Sequence, residues 1–220
     1  MNSSILAKKI KDTDLFIFDL DGTLIDSKKD LIRAVQHGAT AIGHPETPVE
    51  RIESYLAAGS MSLIREVLGS DERFEEAFEH FSNYYEAHLL DETKPYEGVV
   101  AILDKLRGKS LAVMSNKREK FCLATLRGLN LDHYFKMIVG GDTRPHKKPH
   151  PDPLLFIAAK LGIEPRRTMM IGDSPQDVEA AKGAGMFSVA VYGGFTSRER
   201  IDRTEADAFL NDINDLNSYL

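Results

Sequence analysis

Two aspartates separated by a single residue follow a hydrophobic run near the start of the chain. Residues 15–18 read LFIF, and Asp19 and Asp21 come directly after them. A short apolar run bounded by turn residues is typical of a buried strand, and Gly22 and Thr23 favour a turn just beyond it. Two carboxylates this close repel each other unless a cation or a shared proton relieves them. The pattern therefore indicates a divalent metal site, a carboxylate nucleophile beside an acid or base, or both.

Other polar residues follow predicted strands later in the chain. Strands are predicted over residues 110–114, 137–140 and 168–171. In a doubly wound sheet, ligands bind beyond the carboxyl ends of the strands, where the strand order reverses. This rule brings five polar residues to one rim of the sheet: Asp19, Asp21, Ser115, Lys148 and Asp173.

Four segments, in order, resemble the four motifs of the haloacid dehalogenase superfamily of phosphotransferases. They are residues 15–24, 113–117, 147–153 and 170–177. The resemblance spans nearly the whole chain. Within the superfamily the chain is most similar to phosphoglycolate phosphatases, chiefly through residues 140–149, which read GGDTRPHKKP.

The negative charge of a phosphate ester determines which roles these residues must fill. A carboxylate and a phosphate oxygen ~4 Å apart repel by about 4 kcal/mol at an effective dielectric near 20. The site therefore needs cations to make the binding of the phosphate ester favourable. Mg²⁺ prefers a few carboxylates plus substrate oxygens and water. Asp19 and Asp173 can supply the carboxylates, and Lys148 supplies a second positive charge. Ser115 and the amides near Asn116 can bind phosphoryl oxygens where a strand gives way to a helix N-terminus.

The resemblance implies further roles, position by position. Asp19 would attack phosphorus and form an aspartyl-phosphate. Asp21 would protonate the leaving alcohol, activate the hydrolytic water and offer its backbone carbonyl to the metal. The Thr23 hydroxyl would help to orient Asp21, and Gly22 and Thr23 would lie with the phosphate-binding groups. Asp177 would hold the catalytic lysine or a metal-bound water.

The hydrophobic period changes twice along the chain. Every segment from 27 to 93 fits a 3.6-residue period, whereas strands and helices alternate after residue 94. The sequence therefore predicts an α/β fold: a doubly wound, Rossmann-like parallel sheet core, residues 1–26 and 94–220, with an inserted all-helical cap domain, residues 27–93. Hinges are expected near Ser27 and Pro95. The aromatic stripe near the end of the helical segment is interpreted as bundle core.

The composition and net charge of the chain limit the kinds of partner that it can bind. The chain has 220 residues and a net charge of −6, which argues against broad nucleic-acid binding. No apolar run approaches the ~20 residues of a membrane span. We expect a cytoplasmic protein whose partner is a small phosphorylated metabolite. The single cysteine, Cys122, permits no intrachain disulfide and is interpreted as a small buried apolar residue.

Several alternatives share this pattern. The same core would serve a phosphatase for another small metabolite or pyrophosphate, or a β-phosphoglucomutase-like phosphomutase. A phosphonate hydrolase needs a Schiff-base lysine from the cap, and only Lys28 and Lys29 lie in its first turn. A dehalogenase is disfavoured by the second acid at Asp21, and a non-catalytic binding module by the intact catalytic positions.

One departure bears on the substrate. Phosphoglycolate phosphatases tend to carry a glycine-rich cap loop before a helix. The comparable stretch here, residues 56–63, has one glycine, Gly59, with Ser60 and Ser62 as possible donors.

Overall fold

Strands and helices alternate along most of the chain in a computed structural model that describes residues 3–220. The strands are β1 (Leu15–Phe18), β2 (Ile25–Asp26), β3 (Lys94–Pro95), β4 (Ser110–Met114), β5 (Met137–Val139), β6 (Thr168–Gly172), β7 (Phe187–Val191) and β8 (Ala208–Leu210). The α-helices are α1 (Ser3–Asp12), α2 (Lys28–Ala41), α3 (Val49–Glu53), α4 (Ser60–Leu68), α5 (Phe74–Ala87), α6 (Val99–Lys105), α7 (Glu119–Gly128), α8 (Asp152–Leu161), α9 (Pro175–Gly183) and α10 (Arg198–Asp202). Short 3₁₀ helices span Leu56–Ala58, Asp132–Tyr134, Pro165–Arg167 and Ile213–Ser218.

Six parallel strands form the main sheet, in the order β5-β4-β1-β6-β7-β8. The first strand is central, and Phe18 pairs with Val113 of β4 on one side and with Ile171 of β6 on the other. A strand covered on both faces is apolar throughout rather than alternating, which explains the unbroken LFIF run.

Helices cover both faces of this sheet. Successive side chains of a strand point to opposite faces, so Phe16 and Phe18 join one apolar cluster and Leu15 and Ile17 another. The first cluster includes residues of α1, α6 and α7, whereas the second includes residues of α8 and α9. The predicted doubly wound α/β fold is confirmed.

The elements α2 to α5, hereafter the helical unit, pack around an apolar cluster of their own. Four aromatic side chains of α5 stack along it, with neighbouring ring centroids 5.5–5.8 Å apart: Phe74, Phe78, Phe81 and Tyr85. The chain enters and leaves the helical unit side by side, because β2 and β3 pair antiparallel with Ile25 opposite Pro95. The predicted hinge positions therefore adjoin each other.

Helices form near both ends of the chain. The sequence pattern did not predict α1, which buries Leu6 and Ile10, one helical turn apart, in the core. Near the other end, Ile213–Ser218 forms a 3₁₀ helix. Its first turn is held by Asp212, whose carboxylate accepts a hydrogen bond from the Asp215 amide. None of the helices in residues 3–220 has both the length and the apolar character needed to cross a bilayer.

Candidate active site

Three adjacent strands end at the same rim and each carries one polar residue there. Asp19 follows β1, Ser115 follows β4 and Asp173 follows β6, and all three side chains are buried. Backbone hydrogen bonds extend the sheet by one residue, since the Asp19 amide donates to Ile171 and the Ser115 amide to Val139. The register of the sheet therefore sets the position of the predicted nucleophile.

Lys148 reaches this rim from the loop between β5 and α8. Its side chain is 2 % exposed, and Nζ forms an ion pair with Asp19 Oδ1 at 2.9 Å and donates to Asp177 Oδ1 at 2.5 Å and to the Met114 carbonyl at 2.8 Å. Burial lowers the pKa of this ammonium, but the Asp177 and Asp19 carboxylates outweigh burial and raise the pKa overall. Lys148 is therefore a permanent cation beside Asp19.

The acids at the rim outnumber that cation. One oxygen from each of Asp19, Asp173 and Asp177 lies within 4.8 Å of the others, and all three side chains are buried. Burial raises the pKa of Asp19 to about 8, with Lys148 opposing and the two neighbouring acids reinforcing the shift. Burial and Asp177 likewise raise the pKa of Asp173 to about 7. Such a site favours a divalent cation, which would hold the carboxylates in their ionised form.

Asp177 is occupied by protein contacts on both oxygens. Its Oδ2 accepts hydrogen bonds from the amide and hydroxyl of Ser174 at the start of α9, and Oδ1 accepts from Lys148. Asp177 thus ties Lys148 to the start of α9, whereas Asp19 and Asp173 follow the paired strands β1 and β6.

The turn after β1 is shaped by Asp173. Gly22 has a φ of +84°, and a Cβ on it would lie 2.4 Å from Asp173 Oδ2. The Thr23 hydroxyl donates to Asp173 Oδ1 at 3.1 Å, and the Phe195 amide donates to Oδ2 at 2.7 Å. The expectation that the Thr23 hydroxyl orients Asp21 is wrong, because the left-handed turn at Gly22 places this hydroxyl against Asp173 at the end of β6.

Asp21 is held by residues that the sequence pattern did not single out. Its Oδ1 accepts from the hydroxyl of Ser27 and from Lys117 Nζ, the latter at 2.7 Å. Lys117 also donates to the hydroxyl of Tyr85 at 2.6 Å. The carboxylate of Asp21 is not one of the three that form the acidic cluster at the rim, which are those of Asp19, Asp173 and Asp177.

The segment after β4 is packed closely. The Ser115 hydroxyl accepts from the Lys117 amide at 3.3 Å, and the Asn116 side chain donates to the Lys148 carbonyl at 3.0 Å. A Cβ on Gly59, in the loop before α4, would lie 2.5 Å from the Asn116 carbonyl oxygen. The helical unit thus rests directly on the strand end that carries Ser115.

The basic loop between β5 and α8 also contacts the helical unit. Lys147 Nζ donates to Ser62 Oγ at 2.8 Å and to the Ala58 carbonyl at 3.1 Å. Burial, with a smaller effect of Arg65, lowers the pKa of Lys147. Lys147 therefore joins the sheet domain to residues 56–63, the stretch compared above with the glycine-rich cap loop.

A small cavity lies between the rim and the helical unit. The space open to a water molecule is about 20 Å³, enough for about one water. The lining comes from both parts of the chain and includes Asp19, Asp21, Ser60, Tyr85, Ser115, Asn116 and Lys117. The helical unit is thus closed over the rim.

Comparison with known proteins identifies the family to which the chain belongs. The chain belongs to the haloacid dehalogenase-like hydrolase family, whose model matches residues 16–191. It is 39 % identical over 209 residues to a phosphoglycolate phosphatase of Neisseria meningitidis serogroup A, covering 89 % of this chain and 88 % of the relative. A phosphoglycolate phosphatase of Aquifex aeolicus is 39 % identical over 183 residues, covering 82 % and 85 %.

A solved structure shows the same arrangement. The crystal structure of a predicted phosphoglycolate phosphatase from Haemophilus somnus 129PT superposes with a TM-score of 0.89 at 27 % identity, covering 94 % of this chain and 97 % of that one. The protein is a phosphatase of the haloacid dehalogenase-like family.

Proposed function

We propose that the protein is a Mg²⁺-dependent phosphomonoesterase that hydrolyses 2-phosphoglycolate to glycolate and phosphate through an aspartyl-phosphate on Asp19. The observation that carries this proposal is the ion pair between Asp19 and buried Lys148 at the edge of an acidic cluster. A candidate nucleophile, a buried cation and further carboxylates that could bind a metal ion meet there.

The donor set fits Mg²⁺. Asp19 and Asp173 offer oxygen ligands, and neither residue has a histidine or cysteine in the acidic cluster around it. The raised pKa values of both acids indicate that their charge is uncompensated by the protein alone. When bound, Mg²⁺ would supply the positive charge that neutralises the phosphoryl oxygens.

Residues of the chain itself carry out the two steps of the proposed reaction. The Asp19 carboxylate attacks phosphorus, the ester bond to the alcohol oxygen breaks, and Asp21 gives its proton to that oxygen. In the second step Asp21 takes a proton from water, whose oxygen attacks the phosphorus and releases phosphate and free Asp19. Lys148 offsets the charge of the phosphoryl group throughout, and the Ser115 hydroxyl hydrogen-bonds one of its oxygens.

The closed helical unit supports a short substrate. We propose that residues 27–93 act as a cap domain that opens at the β2–β3 pair, since the present cavity admits about one water. A cap that closes this tightly excludes bulk water and leaves little space for a leaving group. Glycolate is a short leaving group, and it is the product that the relatives' names imply.

A panel of phosphorylated metabolites tests the proposal. We expect Mg²⁺-dependent phosphate release with a kcat/KM for 2-phosphoglycolate above those for hexose phosphates, nucleotides and pyrophosphate. The kcat/KM for a sugar phosphate or pyrophosphate could instead be higher by about tenfold, equivalent to ~1.4 kcal/mol in transition-state binding. That result would contradict 2-phosphoglycolate as the substrate, whereas the assignment of the protein as a phosphatase would stand.

A further inference from the structure

Lys117 links the predicted acid/base residue to the helical unit. Its side chain is 4 % exposed, and Nζ donates both to Asp21 Oδ1 at 2.7 Å and to the Tyr85 hydroxyl at 2.6 Å. Tyr85 is fully buried and belongs to α5. The three residues come from the turn after β1, the segment after β4 and the helical unit, so the contact exists only where all three parts meet.

The chemistry of the groups fixes the direction of each bond. An ammonium can only donate, so the oxygens of Asp21 and Tyr85 accept from Lys117. Burial raises the pKa of the Tyr85 hydroxyl, which stays neutral. An unpaired buried charge is costly, and Asp21 is the carboxylate that pairs with this lysine. Lys117 therefore holds Asp21 strongly.

The two oxygens of Asp21 are used unequally. Oδ1 accepts from both Ser27 and Lys117, whereas no hydrogen bond reaches Oδ2 within the described part of the chain. Both Asp21 and Lys117 line the cavity beside Asp19. Fixing one oxygen orients the other, so Oδ2 is the atom free to exchange a proton with the leaving alcohol or with water.

We propose that Lys117 and Tyr85 are positioning residues that align Asp21 for proton transfer when the helical unit is closed. The inference rests on the proposed role of Asp21. Lys117 clamps the carboxylate, and the Tyr85 hydroxyl holds the ammonium against it. Opening the helical unit withdraws Tyr85, so the acid is fully aligned only over an enclosed substrate.

The test uses leaving groups that differ in their need for a proton. The alkoxide of glycolate is a poor leaving group without protonation, whereas p-nitrophenolate leaves without it. Rapid-quench measurement of alcohol release in the first turnover, with Mg²⁺ present, isolates the step in which Asp21 acts as an acid. General acid catalysis typically contributes about 10²–10⁴-fold, so partial misalignment should cost about tenfold.

Tyr85→Phe removes the hydroxyl and keeps the ring. We expect first-turnover release of glycolate to slow by about tenfold or more while release of p-nitrophenolate changes less than about twofold. Lys117→Met should show the same selectivity with a larger loss. Because the residues act in series, the double variant should be no slower than Lys117→Met alone.

Lys120→Met is the matched control. Lys120 of α7 also pairs with α5, through Glu86 at 2.8 Å, but that pair is exposed and neither residue lines the cavity that contains Asp21. It should leave the ratio of the two release rates unchanged. Equal slowing of both substrates in Tyr85→Phe, no slowing, or the same selectivity in Lys120→Met would overturn the inference.

Asp21→Asn separates this inference from the proposed function. If Asp21→Asn slows glycolate release selectively but Tyr85→Phe and Lys117→Met do not, the positioning role alone fails. If Asp21→Asn shows no selectivity, the acid role proposed for Asp21 fails, and the positioning role fails with it. Matching thermal unfolding curves for Tyr85→Phe and the unmodified protein exclude misfolding as the cause.

Discussion

A Cβ placed on Gly22 would lie 2.4 Å from Asp173 Oδ2, so the turn after β1 and the end of β6 fit together only through a glycine. The same turn carries Thr23, whose hydroxyl holds the other oxygen of Asp173. The conformation of the turn after β1 and the position of the Asp173 carboxylate therefore depend on each other.

Gly22→Ala should therefore damage the site as well as the backbone. An L residue in the left-handed region costs roughly 1–2 kcal/mol, and the new methyl group must also displace the Asp173 carboxylate. We expect loss of stability and a fall in phosphatase activity of at least about tenfold, or ~1.4 kcal/mol. Gly43→Ala is the control, because Gly43 has a similar φ of +78° and open space around its Cβ position. Equal activity in the two variants, measured beside chemical denaturation, would contradict the account.

Lys148→Met should lower kcat without unfolding the protein. The substitution keeps an apolar chain of similar length and removes the charge beside Asp19. Losing one preorganised contact to a developing charge costs about 3 kcal/mol, a reduction of ~10²-fold in kcat. Lys147→Met should change KM more than kcat, since Lys147 contacts Ser62 and the Ala58 carbonyl of the helical unit. Steady-state kinetics with comparable kcat losses in both variants would show that the loop acts only through its net charge.

The pKa of Asp19 predicts how the metal-free protein responds to pH. The unfolded chain releases this proton near the ordinary value of 3.8, whereas the folded protein keeps it to about 8. The folded state then binds more protons between those values, so stability falls as pH rises through that window. Asp19→Asn removes the effect, and at pH 8 in chelator it should be more stable than the unmodified protein by about 1 kcal/mol or more.

Thermal unfolding at several pH values checks this expectation. Mg²⁺ should stabilise the unmodified protein at pH 8 and have little effect on Asp19→Asn. Asp71→Asn, at an exposed aspartate, is the control for loss of a charge. Parallel pH profiles for Asp19→Asn and the unmodified protein would mean that the acidic cluster is already neutralised.

The residues at strand ends were the ones that sequence could predict. An apolar run, a turn signal and the rule for doubly wound sheets together put Asp19, Ser115 and Asp173 at one rim, and the register of β1 with β4 and β6 bears this out. The same reasoning could not find Lys117 or Tyr85. Helical periodicity placed Tyr85 on the buried face of α5, but which buried hydroxyl meets a core lysine depends on how the helical unit sits on the sheet.

Thr23 shows a similar limit. Its hydroxyl was expected to orient Asp21, two residues before it in sequence, yet it contacts Asp173. Loop side chains reach partners set by tertiary packing, and no local pattern encodes those partners.

The most direct test of the central claim is the identity of the residue that carries the phosphoryl group during turnover. The protein is mixed with 2-phosphoglycolate and Mg²⁺, quenched in acid within the first turnover and digested for peptide mass analysis. We predict one phosphoryl group on the peptide that contains Asp19, its loss when the quench is delayed, and its absence in Asp19→Asn, which should also show no turnover. A phosphoryl group on another residue, or near-normal turnover by Asp19→Asn, would contradict the account.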